Sequence, residues 1–284
     1  MAAKNLRVVY QNLVNIATTT VVASTTASNT SAANLKLDSK GSVWRSTGTT
    51  ATITVTFAAD QEVAAVIIPF CNLTPSSTIS FICRNAATAT VTNGSSGTIS
   101  CAPFLQVTPS NWGTTPQGVS TYAYGGGTCA RAYLPNDVKV TCRSVVITIT
   151  DTANADGYIE CARLLVGSYW SPQYNTSYGL STNTVDLSEN VRTESGNLVT
   201  NRGTQYKKLS FDLSYLTQVD RQALNSIIKG NGIAKGIFVS LFPENSIDYN
   251  VEGLHQIYGK LSQLSAITYS HSDIYNTSIE LEEV

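Results

Sequence analysis

The sequence predicts a mainly β chain, with a β-sandwich of the jelly-roll type over residues 1–170 and a smaller α+β domain over residues 201–284. Three observations predict it. Short runs in which apolar and polar residues alternate recur through the first part of the chain. Asn-, Asp-, Gly- and Pro-containing turns separate these runs, and no long amphipathic pattern interrupts them. The one clear helical periodicity, over residues 217–229, comes late in the 284 residues.

The strands follow in order. Ile53, Val55 and Phe57 alternate with Thr, the period of a strand with one wet face. Val63 to Ile68 is continuously apolar, as a central sandwich strand can be. Ile79, Phe81 and Cys83 alternate, as do Val145, Ile147 and Ile149, and residues 158–166 give one more strand. Turns such as Asp156-Gly157 punctuate them. Residues 85–128 are Ala-, Thr-, Ser- and Gly-rich and read as an insertion from one end of the sandwich.

In the second part, Leu209, Phe211 and Leu213 alternate within a strand over 206–215. Thr217 and Asp220 then open a helix in the manner of a capping box. Val219, Ala223, Leu224, Ile227 and Ile228 share one face, and Lys229-Gly230 closes the helix. Strands over 236–242, 257–264 and 274–281 complete the order strand, helix, strand, strand, strand.

Composition narrows the function. Only 13% of residues are charged, against about 25% in an ordinary soluble domain. The net charge of −1 lacks the basic excess that phosphate contacts need, which argues against nucleic acid as a partner. The first 184 residues hold 17 charges with a net of +3, and the remaining 100 hold 20 with a net of −4. That shift marks a domain boundary, with 171–200 read as the linker. The longest apolar run, Val63 to Phe70, is too short for a membrane helix, so no membrane insertion is expected. The N-terminus lacks an apolar signal-type segment, so the six cysteines are expected to be reduced, buried thiols.

No catalytic pattern stands out. His255 and His271 lack a nucleophile elbow or a partner at a useful spacing, and both read as turn or loop residues. The turn from Asp151 to Gly157 resembles a calcium loop only superficially and lacks its terminal Glu. Gly125-Gly126-Gly127 is not followed by the Lys-Ser/Thr pair of a phosphate loop. The expectation is therefore a non-enzyme with no cofactor and no metal. Trp112, Tyr122 and Tyr124 in the insertion are the candidate ligand- or partner-contact residues. They either stack on a sugar or a protein partner, or form a small cluster that holds the insertion down. Trp44 and Trp170 read as packing residues.

Two stretches carry a resemblance. The first runs from Asn34-Leu35 through Asp38 and Val43-Trp44-Arg45-Ser46 to Ile53–Phe57, Val63–Thr74 and Ser77–Arg84. It resembles the opening of galactose-binding-like (discoidin-type) jelly rolls in bacteriophage tail proteins. The second joins Gly157–Ile159, Ala162–Gly167, Tyr169–Pro172 and Asp186–Asn190 to Leu209–Phe211, the 217–229 helix and Tyr258-Gly259. It is similar to the exit of such jelly rolls into an α+β domain in tail-tip and baseplate-associated proteins. The resemblance implies a structural virion protein, assembled in the bacterial cytoplasm with other phage tail proteins as a homo-oligomer in a symmetric ring. It carries over no catalytic residue. The alternative is a carbohydrate- or receptor-binding module that contacts a host-surface glycan through the aromatic residues of the long loop.

Overall fold

The computed structural model describes residues 4–85, 92–100, 127–244, 249–271 and 273–284. In chain order the first strands are β1 (Arg7–Val9), β2 (Thr20–Ala23), β3 (Trp44–Arg45), β4 (Thr50–Val63), β5 (Ala65–Cys71) and β6 (Thr78–Arg84). Next come β7 (Thr92–Ser95), β8 (Ile99–Ser100), β9 (Thr128–Tyr133), β10 (Val140–Thr150), β11 (Glu160–Cys161) and β12 (Leu165–Gly167). Then follow β13 (Ser181–Asp186), β14 (Glu189–Arg192), β15 (Leu198–Asn201), β16 (Gln205–Leu216) and α1 (Gln218–Asn231). The chain ends with β17 (Ile237–Ser240), α2 (Tyr249–Leu254), β18 (Gln256–Leu261), β19 (Thr268–His271) and β20 (Ile274–Glu283).

The molecule is mainly β, and its first sandwich follows from the alternation in the sequence. β10 runs antiparallel between β4 and β6, so that Val145 lies opposite both Val55 and Cys83. This register brings Ile53, Val55, Phe57, Ile79, Phe81, Val145, Ile147 and Ile149 to one buried face. The sheet order is β2-β4-β10-β6-β7, with β8 also on β6. Its core face packs on a second sheet of order β12-β5-β11-β3, with β9 also on β5. Trp44 is fully buried between them, and its indole N–H donates to the Thr25 carbonyl at 3.2 Å.

The unbroken apolar run of β5 has a physical reason. Val66 and Ile68 face the sandwich core, whereas Ala65, Ile67 and Phe70 face outward against the second domain. A strand covered on both faces has no polar side to show. Pro69 supplies no N–H, and the β5–β9 register shifts between Ile68 and Cys71.

The second domain is one antiparallel sheet, β1-β17-β18-β20-β16-β13, with β19 also on β20. α1 covers one face through Leu224 and Ile228, which join Leu213, Ile237, Ile257 and Ile279 in one cluster. Thr217 and Asp220 form the reciprocal capping box read from the sequence. The helix runs two residues beyond Lys229, and its C-cap is Gly232, at a φ of 56° that favours glycine.

Several readings differ from the structure: α2 and β19 interrupt the order expected for the second part, and β7 and β8, within 85–128, join the first sheet. β1 lies in the first ten residues but pairs with β17, so the N-terminus belongs to the second sheet. The segment read as a linker contains β13, β14 and β15. Its polar Ser/Thr/Asn composition is that of an exposed edge hairpin, which looks like a linker when the pairing is invisible. The single strand expected over 158–166 is two short strands. Between them the Leu164 N–H leaves the ladder to donate to the Leu35 carbonyl at 3.1 Å.

Candidate functional site

The outer face of the β5 sheet packs against the face of the second sheet opposite α1. Ile67, Phe70, Tyr133, Leu165 and Tyr169 meet Val9, Phe238 and Tyr258 in one buried cluster. The Phe70 and Tyr258 rings meet edge to face at 6.1 Å, as do Tyr133 and Tyr169 at 5.9 Å. Charge pairs also cross this interface. Arg131 of β9 lies 2.7 Å from the Glu252 carboxylate of α2, and both side chains are buried. Glu252 also accepts from Ser240 Oγ at 2.9 Å and from the Glu244 N–H at 3.0 Å. Burial disfavours the Arg131 charge, but Glu252, Cys129 and Tyr133 together outweigh it and the pKa is raised. The Arg7 guanidinium lies over the rings of Tyr133 and Tyr169, with 4.2 and 4.6 Å to their centroids, and pairs with Asp137 and Glu244. Asp38 accepts from the Tyr258 hydroxyl at 2.8 Å and faces Lys260 at 3.6 Å.

Beside this packed zone the two sheets diverge into a cleft of about 380 Å³. Pro69, Phe70 and Thr128 form its jelly-roll wall. Gln205, Tyr206 and Lys207 of β16, Gln256 and Tyr258 of β18, and Glu283 of β20 form the other. The Lys207 ammonium is held by the carbonyls of Gly253, Leu254 and Gln256 at 3.3–3.4 Å. The Lys207 backbone N–H donates to Glu283 Oε2 at 2.9 Å. Burial lowers the Lys207 pKa, and Glu283 opposes part of that shift. Gln256 is 7% exposed, and among the described residues its Oε1 has no hydrogen-bond partner.

The cleft therefore combines aromatic and apolar walls with two amides, four hydroxyls, one ammonium and one carboxylate among its lining residues. Glu283 is the one carboxylate among its lining residues, whereas hydrolysis of a glycosidic bond needs two across a cleft. Sequence reasoning did not find this site, because its walls come from β5, β9, β16, β18 and β20. Gln256 and Tyr206 carry no local motif.

The candidates from the sequence fall elsewhere. Trp112, Tyr122 and Tyr124 lie outside the described residues. Asp151 is a turn clamp, accepting from the Thr74 N–H at 2.8 Å and the Thr74 hydroxyl at 2.6 Å. Among the described residues no group of His, Cys, Asp and Glu side chains could hold a metal. Cys71, Cys83, Cys142 and Cys161 are buried thiols, Cys129 is half-buried, and Cys101 lies outside the described residues. His255 sits in the turn before β18, edge-on to Phe242, and His271 ends β19.

A second surface feature is an arm. The β13–β16 ladder ends at Asp186 and Gln205, the Leu187 N–H donates to the Thr204 carbonyl, and β14 and β15 continue outward. Leu187, Val191, Leu198 and Val199 on this arm are each more than half exposed. Tyr215 and Tyr269 are also exposed, at the far end of β16.

No family model and no curated protein matches the chain. Solved structures similar to it include chitosan-binding module 1 of a chitosanase/glucanase from Paenibacillus sp. IK-5, at 18% identity and a TM-score of 0.38, covering 55% of this chain and 98% of that one. Another is the family 32 CBM of Clostridium perfringens NanJ in complex with galactose, at 11% identity and a TM-score of 0.37, covering 57% and 99%. A third is the lectin domain of Lectinolysin with Lewis B antigen, at 12% identity and a TM-score of 0.37, covering 56% and 99%.

Proposed function

We propose that this chain is a non-catalytic carbohydrate-recognition protein that seats a neutral saccharide in the interdomain cleft. The observation that carries this reading is the cleft itself, where the rings of Phe70, Tyr206 and Tyr258 stand beside the Gln205 and Gln256 amides. Sugar hydroxyls bond the polar groups that line the cleft, and the C–H face of the ring lies against an aromatic wall. The Lys207 charge is offset by three carbonyl dipoles and by Glu283, which favours a ligand without net charge. The volume of about 380 Å³ is within the range of small-ligand sites, roughly 300–1,000 Å³. The similar modules named above have chitosan, galactose and Lewis B antigen in their descriptions. At those TM-scores the likeness adds no weight, and the cleft alone supports the reading.

The test is a panel of immobilised neutral glycans probed with the full chain, Tyr206→Ala and Trp112→Ala. Tyr206 is partly exposed, so its truncation leaves the core intact. Binding that weakens at least about tenfold in Tyr206→Ala and persists in Trp112→Ala supports the cleft. Loss in Trp112→Ala alone moves the ligand to the long insertion, and an empty panel sinks the reading.

The arm favours a second reading, that of a structural subunit in a symmetric assembly such as a phage tail tip or baseplate. Four exposed aliphatic side chains on a projecting hairpin are costly in an isolated molecule and fit burial against another chain. The similar structures named above are not tail proteins, so this reading rests on the arm alone. Replacing residues 189–201 by a two-residue turn should leave the fold intact and abolish self-association, measured by light scattering across a concentration series. A parent protein that stays monomeric at every concentration contradicts it.

A further inference from the structure

Away from the cleft, α1 and the β19–β20 hairpin enclose a separate recess of about 320 Å³. Arg221, Gln222 and Asn225 face it from α1, Tyr269 from β19 and Tyr275 from β20. The rings of Tyr269 and Tyr275 lie 5.1 Å apart at 47°, and the Arg221 guanidinium stacks over Tyr275 at 4.6 Å. Stacking uses the face of a guanidinium and leaves its in-plane N–H donors free in a fixed orientation. Among the described residues Arg221 has no carboxylate partner: its neighbour Asp220 is held by Thr217, and Asp273 meets Tyr269 through a backbone N–H.

We propose that this recess is a second ligand site, which takes a carboxylate-bearing sugar ring of the uronic acid class. The carboxylate pairs with the Arg221 fork, the ring lies on Tyr269, and Gln222 and Asn225 bond the hydroxyls. The chemistry differs from that of the cleft, where Lys207 is compensated and a neutral ligand is favoured. The recess offers an uncompensated guanidinium, and its ligand carries the matching charge. This site does not depend on the cleft being occupied.

The experiment follows the ring resonances of Tyr269 and Tyr275 in the full chain during titration with D-glucuronate, D-glucose, acetate and an oligoglutamate peptide. Arg221→Gln, Arg221→Lys and Tyr269→Ala are titrated in parallel. Arg221 and Tyr269 are not core residues, and an unchanged melting temperature shows that each variant is folded. Glucuronate is expected to shift both rings and to bind at least tenfold more tightly than glucose or acetate. Arg221→Gln should lose that preference, and Arg221→Lys should restore only part of it, because an ammonium keeps the charge without the fork. Equal binding of glucose and glucuronate, an acetate response as strong as that of glucuronate, a response to the peptide alone, or unmoved tyrosine resonances would each overturn the proposal.

Discussion

Replacing Arg131 by Met tests whether charge pairing locks the two domains. In the folded chain Arg131 and Glu252 are 2.7 Å apart, with side chains 8% and 3% exposed. Removing the cation leaves a buried carboxylate held, among the described residues, by Ser240 Oγ and the Glu244 N–H. Breaking a buried pair in this way costs about 3–5 kcal/mol. Removing both charges, in Arg131→Met/Glu252→Leu, eliminates the stranded carboxylate, so the double variant should be more stable than Arg131→Met. The coupling energy from the cycle should be about 2 kcal/mol or more. Urea unfolding provides the assay, followed by far-UV circular dichroism and by tryptophan fluorescence. Trp44 reports the jelly-roll core and Trp170 the second sheet. The parent should show coincident transitions, and Arg131→Met should separate them as the second domain loosens first. A single variant within about 0.5 kcal/mol of the parent, or a coupling energy near zero, would refute the lock.

Other perturbations have distinct expected sizes. Phe81→Ala empties a fully buried position in the jelly-roll core and should cost about 3–5 kcal/mol in urea unfolding, whereas Val191→Ser on the exposed arm should change stability by less than about 0.5 kcal/mol. Thr217→Ala removes one half of the α1 capping box and should cost about 1 kcal/mol by the same measurement. Acid should weaken domain docking through Asp137. Burial raises its pKa, but the Tyr169 hydroxyl and the Arg7 and Lys4 charges outweigh this and hold it below the ordinary 3.8. Because the folded pKa is depressed, the stabilisation is complete above that ordinary value and is lost as pH falls through the lower folded one. Thermal melting from pH 5 to pH 2 should show that loss in the parent and a smaller one in Asp137→Asn.

Local patterns in the sequence carried the strand alternation at 53–57, 79–83 and 145–149, and the helix start at Thr217, because each depends on neighbours a few residues apart. They could not reveal that Arg7–Val9 joins a sheet with residues 237–240, a pairing separated by most of the chain. The apolar run of β5 marked a central sandwich strand, but not that its outer face is covered by a second domain. The cleft stayed hidden for the same reason. Phe70, Tyr206 and Gln256 converge only once the jelly roll docks on the second sheet, and each looks unremarkable in its own segment. Interface charges such as Arg131 and Glu252 likewise read as ordinary surface residues until their burial is known.

The most direct test of the cleft is hydrogen exchange of the full chain with and without a saturating neutral saccharide taken from the glycan panel. The account predicts slower exchange in peptides covering 205–207 and 253–258, and no change over 53–57 and 145–149. Protection that falls elsewhere, or none at all, would contradict it.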